Sequence, residues 1–410
     1  MRRKTELITA GSLELLAVAL ANWQALAGVR TDEAKYLLNI PYPHPPLLRW
    51  LMSLTESLAC QEFLWRLLLA TLMVQAVWLV WDMTSPERSG AESKGHLEDR
   101  ILVCATWLLS SAVLTMAGAV MLSPIIAMQA LVLLWLRSKP DLCRKIPGWI
   151  GFFWLAMVFT SFQGILFAPL VWSVLKHSRF SRPKMLTVIA GPCVLLALWT
   201  LSNPLALATM AIHGNDGAKT GLEEHLLRTL KLWIIGGAGI LSAVGTWGIV
   251  RSKDWTLIAT LVLVLVYVTA SVPYPFYAIL FTPIFVGGIR NIFLGRRHPH
   301  AFPLLACFVF ATAIITWFIR LPQTPDPSRS VMAAIAAEPI PEAIEGGSVL
   351  ISGTFGHQWQ YESRLKIRRY KPEFTKDARA VVCLAACAPM FDTSNWKRLP
   401  GLMIETWVRK

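Results

Sequence analysis

Charge is scarce in this sequence. Asp, Glu, Lys and Arg make up 16% of the 410 residues, where a soluble domain carries about 25%. Hydrophobic residues reach 55% and the mean hydropathy is +0.50. This balance excludes an ordinary cytosolic enzyme and a disordered regulator. Cysteine is also sparse, at 7. No CxxC pair or Cys/His cluster has metal-ligand spacing, which excludes a zinc module and a disulfide-stapled secreted domain. Acidic residues number 25 against 39 basic ones, a net charge of +14. In a soluble chain that excess would suggest nucleic acid. Here most Lys and Arg sit in short loops between apolar segments, so membrane orientation accounts for them and no nucleic-acid partner is expected. There is no internal repeat and no low-complexity tract.

What the sequence has instead is long apolar runs and 18 Trp, a residue that favours both bilayer interfaces. A spanning helix needs about 20 mostly apolar residues. Leu7 to Val29 follows the basic start Arg2, Arg3, Lys4 and reads as a retained first span, too long for a signal-peptide core. A polar loop, 30–62, follows. Phe63 to Trp81 is the second span. Ile101 to Leu136 fits a hairpin of two. Pro147 to Leu175 is long for one crossing and short for two, but basic residues flank both ends, so it should go out and return with its turn at Ser161 to Gly164. Met185 to Leu201 crosses next, then the loop Ser202 to Arg228, then Thr229 to Val250. Trp255 to Gly288 is another hairpin, turning at Pro273-Tyr274-Pro275. Phe302 to Phe318 is the last crossing.

The expected fold class is an all-α polytopic membrane protein of about eleven transmembrane helices, with a small C-terminal external α/β domain. The expected division is a membrane module of residues 1–320 and an extracytoplasmic domain of 321–410. The N-terminus is expected to be cytoplasmic and the C-terminus periplasmic, in a bacterial inner membrane. The basic clusters fall in the proposed cytoplasmic loops, and the short external segments hold Arg30, Lys35, Arg49, Arg66, Lys219, Arg228 and Lys231. In the tail, Leu321 to Pro327 is a Pro-rich linker, Ser328 to Glu338 is helical in character, and Ser348 to Ser352, Ala380 to Leu384 and Leu402 to Val408 read as strands. Cys383 and Cys387 lie close together there and are a disulfide candidate if the tail is in an oxidising compartment.

The first loop is where chemistry is legible. It begins Thr31-Asp32-Glu33-Ala34-Lys35-Tyr36, two adjacent carboxylates directly after the first span. It continues through Pro41-Tyr42-Pro43-His44-Pro45-Pro46 into an amphipathic stretch with Leu47, Leu48, Trp50, Leu51 and Leu54, which suits an interfacial helix. The plain alternative is a solvated loop with ordinary boundary charge. The combined pattern resembles the first external loop of the GT-C glycosyltransferases, a superfamily that includes protein O-mannosyltransferases, the aminoarabinose transferases of lipid A and rhizobial galacturonosyltransferase-like proteins. Their loop carries Asp-Glu-Ala and then Lys-Pro-Pro-Leu with an aromatic. Asp32-Glu33-Ala34-Lys35-Tyr36 and His44-Pro45-Pro46-Leu47-Leu48-Arg49-Trp50 match in order, with a shorter spacer. Phe63-Leu64-Trp65-Arg66-Leu67 is similar to the family's entry to its second helix. Met121-Leu122-Ser123-Pro124 and Tyr277-Ala278-Ile279-Leu280-Phe281-Thr282-Pro283 resemble later family segments. The likeness covers most of the chain, but only the first loop is specific. Three positions depart from the pattern: His44 replaces the family's Lys, Ser123 stands where an acidic residue is common, and Ser161-Phe162-Gln163-Gly164 lacks the usual basic residue.

The resemblance implies an inverting transfer of a sugar from a polyprenyl-phosphate carrier to a lipid, glycan or protein acceptor on the external face. It makes Asp32 the general base and Glu33 its neighbour. The leaving phosphate needs positive partners, and the candidates are His44, Arg49, Arg66, Arg228 and Lys231. For Arg49 and Arg66 the alternative is snorkelling to headgroups, and for His44 a hydrogen-bonded turn. The segment from His213 to Arg228 could close over the donor or serve as a solvated connector. No cofactor is demanded by spacing. A divalent metal at Glu33, Glu224 and His225 stays open. Glu14 is expected near the cytoplasmic interface, and Gly236, Gly237, Gly239, Gly245 and Gly248 are expected to allow close helix packing. Two rivals stand beside the transferase reading. One is a catalytically inactive scaffold with this fold. The other is a secondary transporter, which the shortage of mid-span ionisable residues disfavours.

Overall fold

In hydrocarbon a peptide group has no water to bond, so an apolar run satisfies its own backbone by coiling. The apolar runs here do so. The structure is a computed structural model that describes residues 2–40, 44–84, 94–208, 221–237, 239–293, 306–311, 313–315, 327–339, 346–353, 356–363, 365–384, 392 and 394–410. Those residues form two compact units, 1–22, 42–51 and 63–322 in the first, and 23–41, 52–62 and 323–410 in the second.

Helix α1, Arg2–Ala27, begins in the first unit and ends in the second. The first loop contains two short helices, α2 (Thr31–Leu37) and α3 (Leu47–Ser53), the latter where the amphipathic stretch predicts one. The second span is α4 (Gln61–Gln75) running into α5 (Val77–Met83). The expected hairpin of residues 101–136 is α6 (Lys94–Leu108), a short α7 (Ser111–Met116) and α8 (Leu122–Arg137). After α9 (Pro140–Lys145) comes α10 (Pro147–Thr160), which stops where the sequence predicts a turn. Ser161 is extended and its hydroxyl accepts from the Gln163 amide at 3.3 Å, starting a 3₁₀ turn over Phe162–Phe167 before α11 (Ala168–Leu175). Helix α12 is Arg182–Leu201. Among the described residues, four helical stretches are by themselves long and apolar enough to cross a membrane: Glu6–Ala27, Gln61–Met83, Arg182–Leu201 and Pro275–Ile292.

The expected crossing Thr229 to Val250 consists of two helices joined at a bend. Helix α13 starts earlier, at Leu222, and ends at Gly236; α14 (Ile240–Arg251) leaves it at an angle of 89°. Glu224, His225 and Arg228 therefore lie on a helix rather than in a loop. The cause is the glycine run. Gly239 has φ +71, a conformation that side chains resist, and the Ser242 hydroxyl donates to the freed carbonyls of Trp233 (2.6 Å) and Ile234 (3.1 Å). Hydropathy along the chain does not register such a break. The final hairpin is α15 (Trp255–Ala270), a 3₁₀ turn over Pro275–Leu280 and α16 (Thr282–Phe293), with its break at the predicted prolines. Of the last expected crossing, Phe302 to Phe318, the described residues are 306–311 and 313–315, and these are helical.

Several polar side chains of the first unit pair with one another. Glu14 accepts from Thr71 (2.6 Å) and Gln75 (3.2 Å), joining α1 to α4. At one end of the helices Arg137 pairs with Asp254 (2.8 Å), which also accepts from Asn291 (3.1 Å), and Lys139 pairs with Asp82 (3.0 Å).

In the second unit, α17 (Pro327–Ala337) and α18 (His357–Ser363) accompany a five-stranded sheet of order β2-β1-β3-β5-β4. Strands β1 (Ser348–Ser352), β2 (Ile367–Arg369) and β3 (Ala378–Cys383) are parallel, while β5 (Glu405–Arg409) runs antiparallel between β3 and β4 (Trp396–Arg398). One sheet face packs Val349, Ile351, Val382 and Val408 with Val331, Met332 and Ile335 of α17; the other holds Leu350, Val381 and Trp396. Cys383 is disulfide-bonded; Cys387 lies outside the described residues, as does most of the linker Leu321 to Pro327.

Glycine packing is confirmed between α14 and α16. A Cβ on Gly248 would stand 2.2 Å from the Gly288 carbonyl oxygen, and one on Gly245 would stand 2.9 Å from Phe285 Cα. Gly248→Ala is expected to destabilise by about 1–3 kcal/mol, the cost of overpacking, whereas Gly11→Ala, with nothing within 4 Å, should not. Thermal unfolding in detergent separates the two, and equal midpoints would contradict the close approach.

Candidate active site

The two adjacent carboxylates do different work. Helix α2 follows α1 after a break at Gly28, whose φ is +88. Its first turn leaves backbone amides unpaired, as every helix does. Glu33 answers that need: it is fully buried, and its carboxylate accepts from the Arg30 backbone amide at 2.8 Å. This is half of a capping box. Asp32, one residue earlier, points the other way. It is 32% exposed and its Oδ1 pairs with Lys35 Nζ at 2.8 Å. The ion pair orients the carboxylate without hiding it. Of the pair, Asp32 has the access a general base needs, and Glu33 builds the turn that presents it.

The second unit adds residues that no sequence signal marks. Helix α18 packs on α2. Thr31 donates its hydroxyl to the Gln358 side-chain oxygen, and His357, half-buried, lies within electrostatic reach of both Lys35 and Asp32. Burial pushes the His357 imidazole below its ordinary value and the Lys35 charge adds to this; a hydrogen bond with Gln360 and the Asp32 charge oppose it.

In the first unit, Arg66 is fully buried and donates from Nη1 to the Gly118 carbonyl at 3.2 Å. Complete burial removes the snorkelling alternative for this side chain. The contact ties the start of the second span to the segment just before Met121-Leu122-Ser123-Pro124. Ser123 donates to Gln163 Oε1 at 2.9 Å, and both are buried. Two positions that depart from the family pattern therefore meet each other. His44 is half-buried with its ring 6.1 Å from that of Phe162, which in turn lies 6.5 Å from Trp199. Arg49 is half-buried on α3.

Helix α13 carries the other candidates. Arg228 pairs with Glu224 one turn away, and both are exposed. Lys231 is exposed as well. His225 faces inward, with Nδ1 2.8 Å from the Thr269 carbonyl. Glu224 and His225 thus point to different surroundings, and among the described residues no three His, Cys, Asp or Glu side chains gather as a metal site. Asp216 and Lys219 lie outside the described residues.

Helical runs long and apolar enough to cross a membrane, followed by a small α/β unit, give a fold similar to that of solved GT-C glycosyltransferases. Two crystal structures of ArnT from Cupriavidus metallidurans match over nearly the full length of both chains. In the apo state the TM-score is 0.66 at 13% identity, covering 100% of this chain and 98% of that one. Bound to undecaprenyl phosphate the values are 0.64 and 14%, with 98% of each chain covered. The Archaeoglobus fulgidus oligosaccharyltransferase tethered with an acceptor peptide matches at a TM-score of 0.50 and 11% identity, covering 90% of this chain and 64% of that one. No family model and no curated protein matches the sequence.

The depressed imidazole of His357 has a measurable consequence. An unfolded histidine takes up its proton near pH 6.5, and the folded one does so only at lower pH. Below 6.5 the unfolded chain binds more protons, so stability falls as pH drops and is fully present above that value. Unfolding temperature should be lower at pH 5 than at pH 7.5, and the difference should shrink in His357→Gln. An identical pH dependence in wild type and variant would contradict the assignment.

Proposed function

We propose that this protein is an inverting glycosyltransferase that moves a hexosyl or pentosyl unit from a polyprenyl-phosphate carrier to a lipid, glycan or protein acceptor. The observation that carries the reading is Asp32, accessible on α2 directly after the first span, in a chain with the GT-C fold. The Cupriavidus ArnT bound to undecaprenyl phosphate supports a lipid-phosphate donor. The proposed arrangement is about eleven crossings in a bacterial inner membrane. A catalytic module of residues 1–320 carries the loop 30–62 on the external face, and an extracytoplasmic domain covers 321–410.

The chemistry follows from the groups. The acceptor hydroxyl gives its proton to Asp32 while its oxygen attacks the anomeric carbon from the side opposite the carrier. The bond from that carbon to the phosphate oxygen breaks, and the carrier phosphate leaves with the electron pair. Cationic groups near the leaving oxygens lower the barrier; His44, Arg49 and Arg66 are the proposed partners in the first unit, with Arg228 and Lys231 on α13. Lys35 orients Asp32 through Oδ1 and so fixes where Oδ2 faces. In this scheme side chains supply the base and the cationic partners. A second reading, an inactive scaffold, draws on the neutral Ser123–Gln163 pair.

The deciding assay uses the purified protein with a panel of polyprenyl-phosphate sugars and follows release of the carrier phosphate. Asp32→Asn should lower turnover by about 10²-fold or more, the scale of general-base removal, with donor binding largely retained. Glu33→Gln should keep most activity, because Gln also completes a capping box. Near-wild-type turnover in Asp32→Asn would sink the base assignment, and a dead Glu33→Gln would move it one residue along. Absence of release with every donor favours the scaffold.

Sidedness has its own test. A reporter active only outside the cytoplasm should work when fused after Lys410 and fail at Lys94. The reverse pattern would overturn the proposed orientation.

A further inference from the structure

We infer that Arg329, in the C-terminal segment, is a positioning residue for Asp32, because it fastens both ends of the first loop. This rests on the reading of Asp32 as the base. Arg329 lies on α17 and directs its guanidinium at three separate stretches of the second unit. Nη1 donates to the Ala25 carbonyl at 3.0 Å, in the last turn of α1, just before the loop begins. Nη2 reaches Glu62 Oε2 at 3.4 Å, in the first turn of α4, where the loop ends. Nε and Nη2 grip Glu362 at 3.1 and 3.2 Å, on α18. Helix α18 in turn packs on α2, with Gln358 bonded to Thr31, the residue next to Asp32.

One cation therefore joins the entry, the exit and the cover of the loop that carries the carboxylate. An isolated exposed ion pair adds little. Here Arg329 is about half-exposed, but its partners are not: the side chains of Glu362 and Glu62 are 9% and 15% exposed. Two carboxylates so far out of water depend on the charge beside them, and hydrogen bonding to Glu362 in turn holds the guanidinium above its usual value. The task needs a planar fork with five donors. A lysine ammonium, a compact point charge, cannot serve a carbonyl and two carboxylates on different sides together.

The consequence is a division of labour. The polar loop 30–62 is long enough to wander if only its ends were fixed by the membrane helices. With α18 laid on α2 and Arg329 binding the loop's ends to α18, Asp32 has a fixed place relative to Ala25 and Glu62. A base displaced by an ångström loses much of its effect, so the C-terminal segment acts on turnover without touching substrate.

The test uses the full chain in detergent, with Arg329→Ala, Arg329→Lys and Glu62→Gln. Hydrogen exchange is followed at the Ala34, Leu38 and Ile40 amides, which bond to the carbonyls of Arg30, Ala34 and Lys35, against α12 as an internal reference. Arg329→Ala should speed exchange at these amides by about tenfold or more while α12 is unchanged. Arg329→Lys should recover part of the protection. In the donor assay, Arg329→Ala should lower kcat by about tenfold with donor KM little changed, and Lys should rescue part of it. Unchanged exchange in Arg329→Ala overturns the fastening. Faster exchange with unchanged kcat overturns the positioning role. If wild type releases no carrier phosphate from any donor, the transferase reading fails and the exchange arm still decides the fastening. If Arg329→Ala does not fold, Glu62→Gln, which keeps its shape, carries both readouts with a smaller shift.

Discussion

A polar group buried away from water must find its partner in the protein, and most of this structure follows from that constraint. It coils the apolar runs into helices. It makes Glu14 in α1 a bridge to Thr71 and Gln75 rather than a free charge. It turns Ser242 back onto the carbonyls that the glycine break exposes. It also decides the fate of Arg66, whose guanidinium sits wholly inside the first unit and reaches the Gly118 carbonyl. A buried cation is costly unless compensated. A chain that keeps one beside the segment entering α8 either uses it to hold that segment or keeps it for an anion, and the two uses agree in sign.

The same constraint separates Asp32 from Glu33. Both carboxylates begin a helix, where exposed amides favour negative charge. One must satisfy the amides and the other then has no structural duty. Glu33 takes the inward position and the Arg30 amide; Asp32 stays partly exposed and pairs with Lys35. An adjacent acidic pair on a first turn is thus an economical way to build a rigid support and an accessible carboxylate from two residues. It needs no metal to explain why two acids stand together.

Much of the fold was legible in the sequence because hydropathy and turn residues are strong signals. The breaks at Ser161 and at Pro273-Tyr274-Pro275, the amphipathic α3, the helix α17 and strands β1, β3 and β5 all lie where composition puts them. Strands β2 and β4 were not legible. Each has three residues, and Ile367-Arg368-Arg369 and Trp396-Lys397-Arg398 are charged, as edge strands often are. The break after Gly236 is not legible, since glycine serves both close approach and sharp turns. Of the candidate site, the motif residues could be found because their order resembles a known loop. Arg329, His357 and Gln358 could not: they belong to no motif, lie hundreds of residues from Asp32, and matter only through the packing of α18 on α2.

The buried contact between Ser123 and Gln163 bears on how the site would balance charge. The family pattern that the first loop resembles has an acidic residue at the first position and a basic one in the turn that holds the second. Exchanging a buried ion pair for a neutral hydrogen bond removes two desolvation costs, and such exchanges are often neutral or favourable for stability. This chain holds the two segments together with a neutral hydrogen bond and neither charge. Chemistry is less forgiving than stability. If those charges steer a phosphate or a cation in the relatives, this chain has to place the same field with what remains: the buried Arg66, His44 beside Phe162, and Arg49 on α3. A neutral pair at the second loop and a histidine in place of lysine at the first both reduce fixed charge.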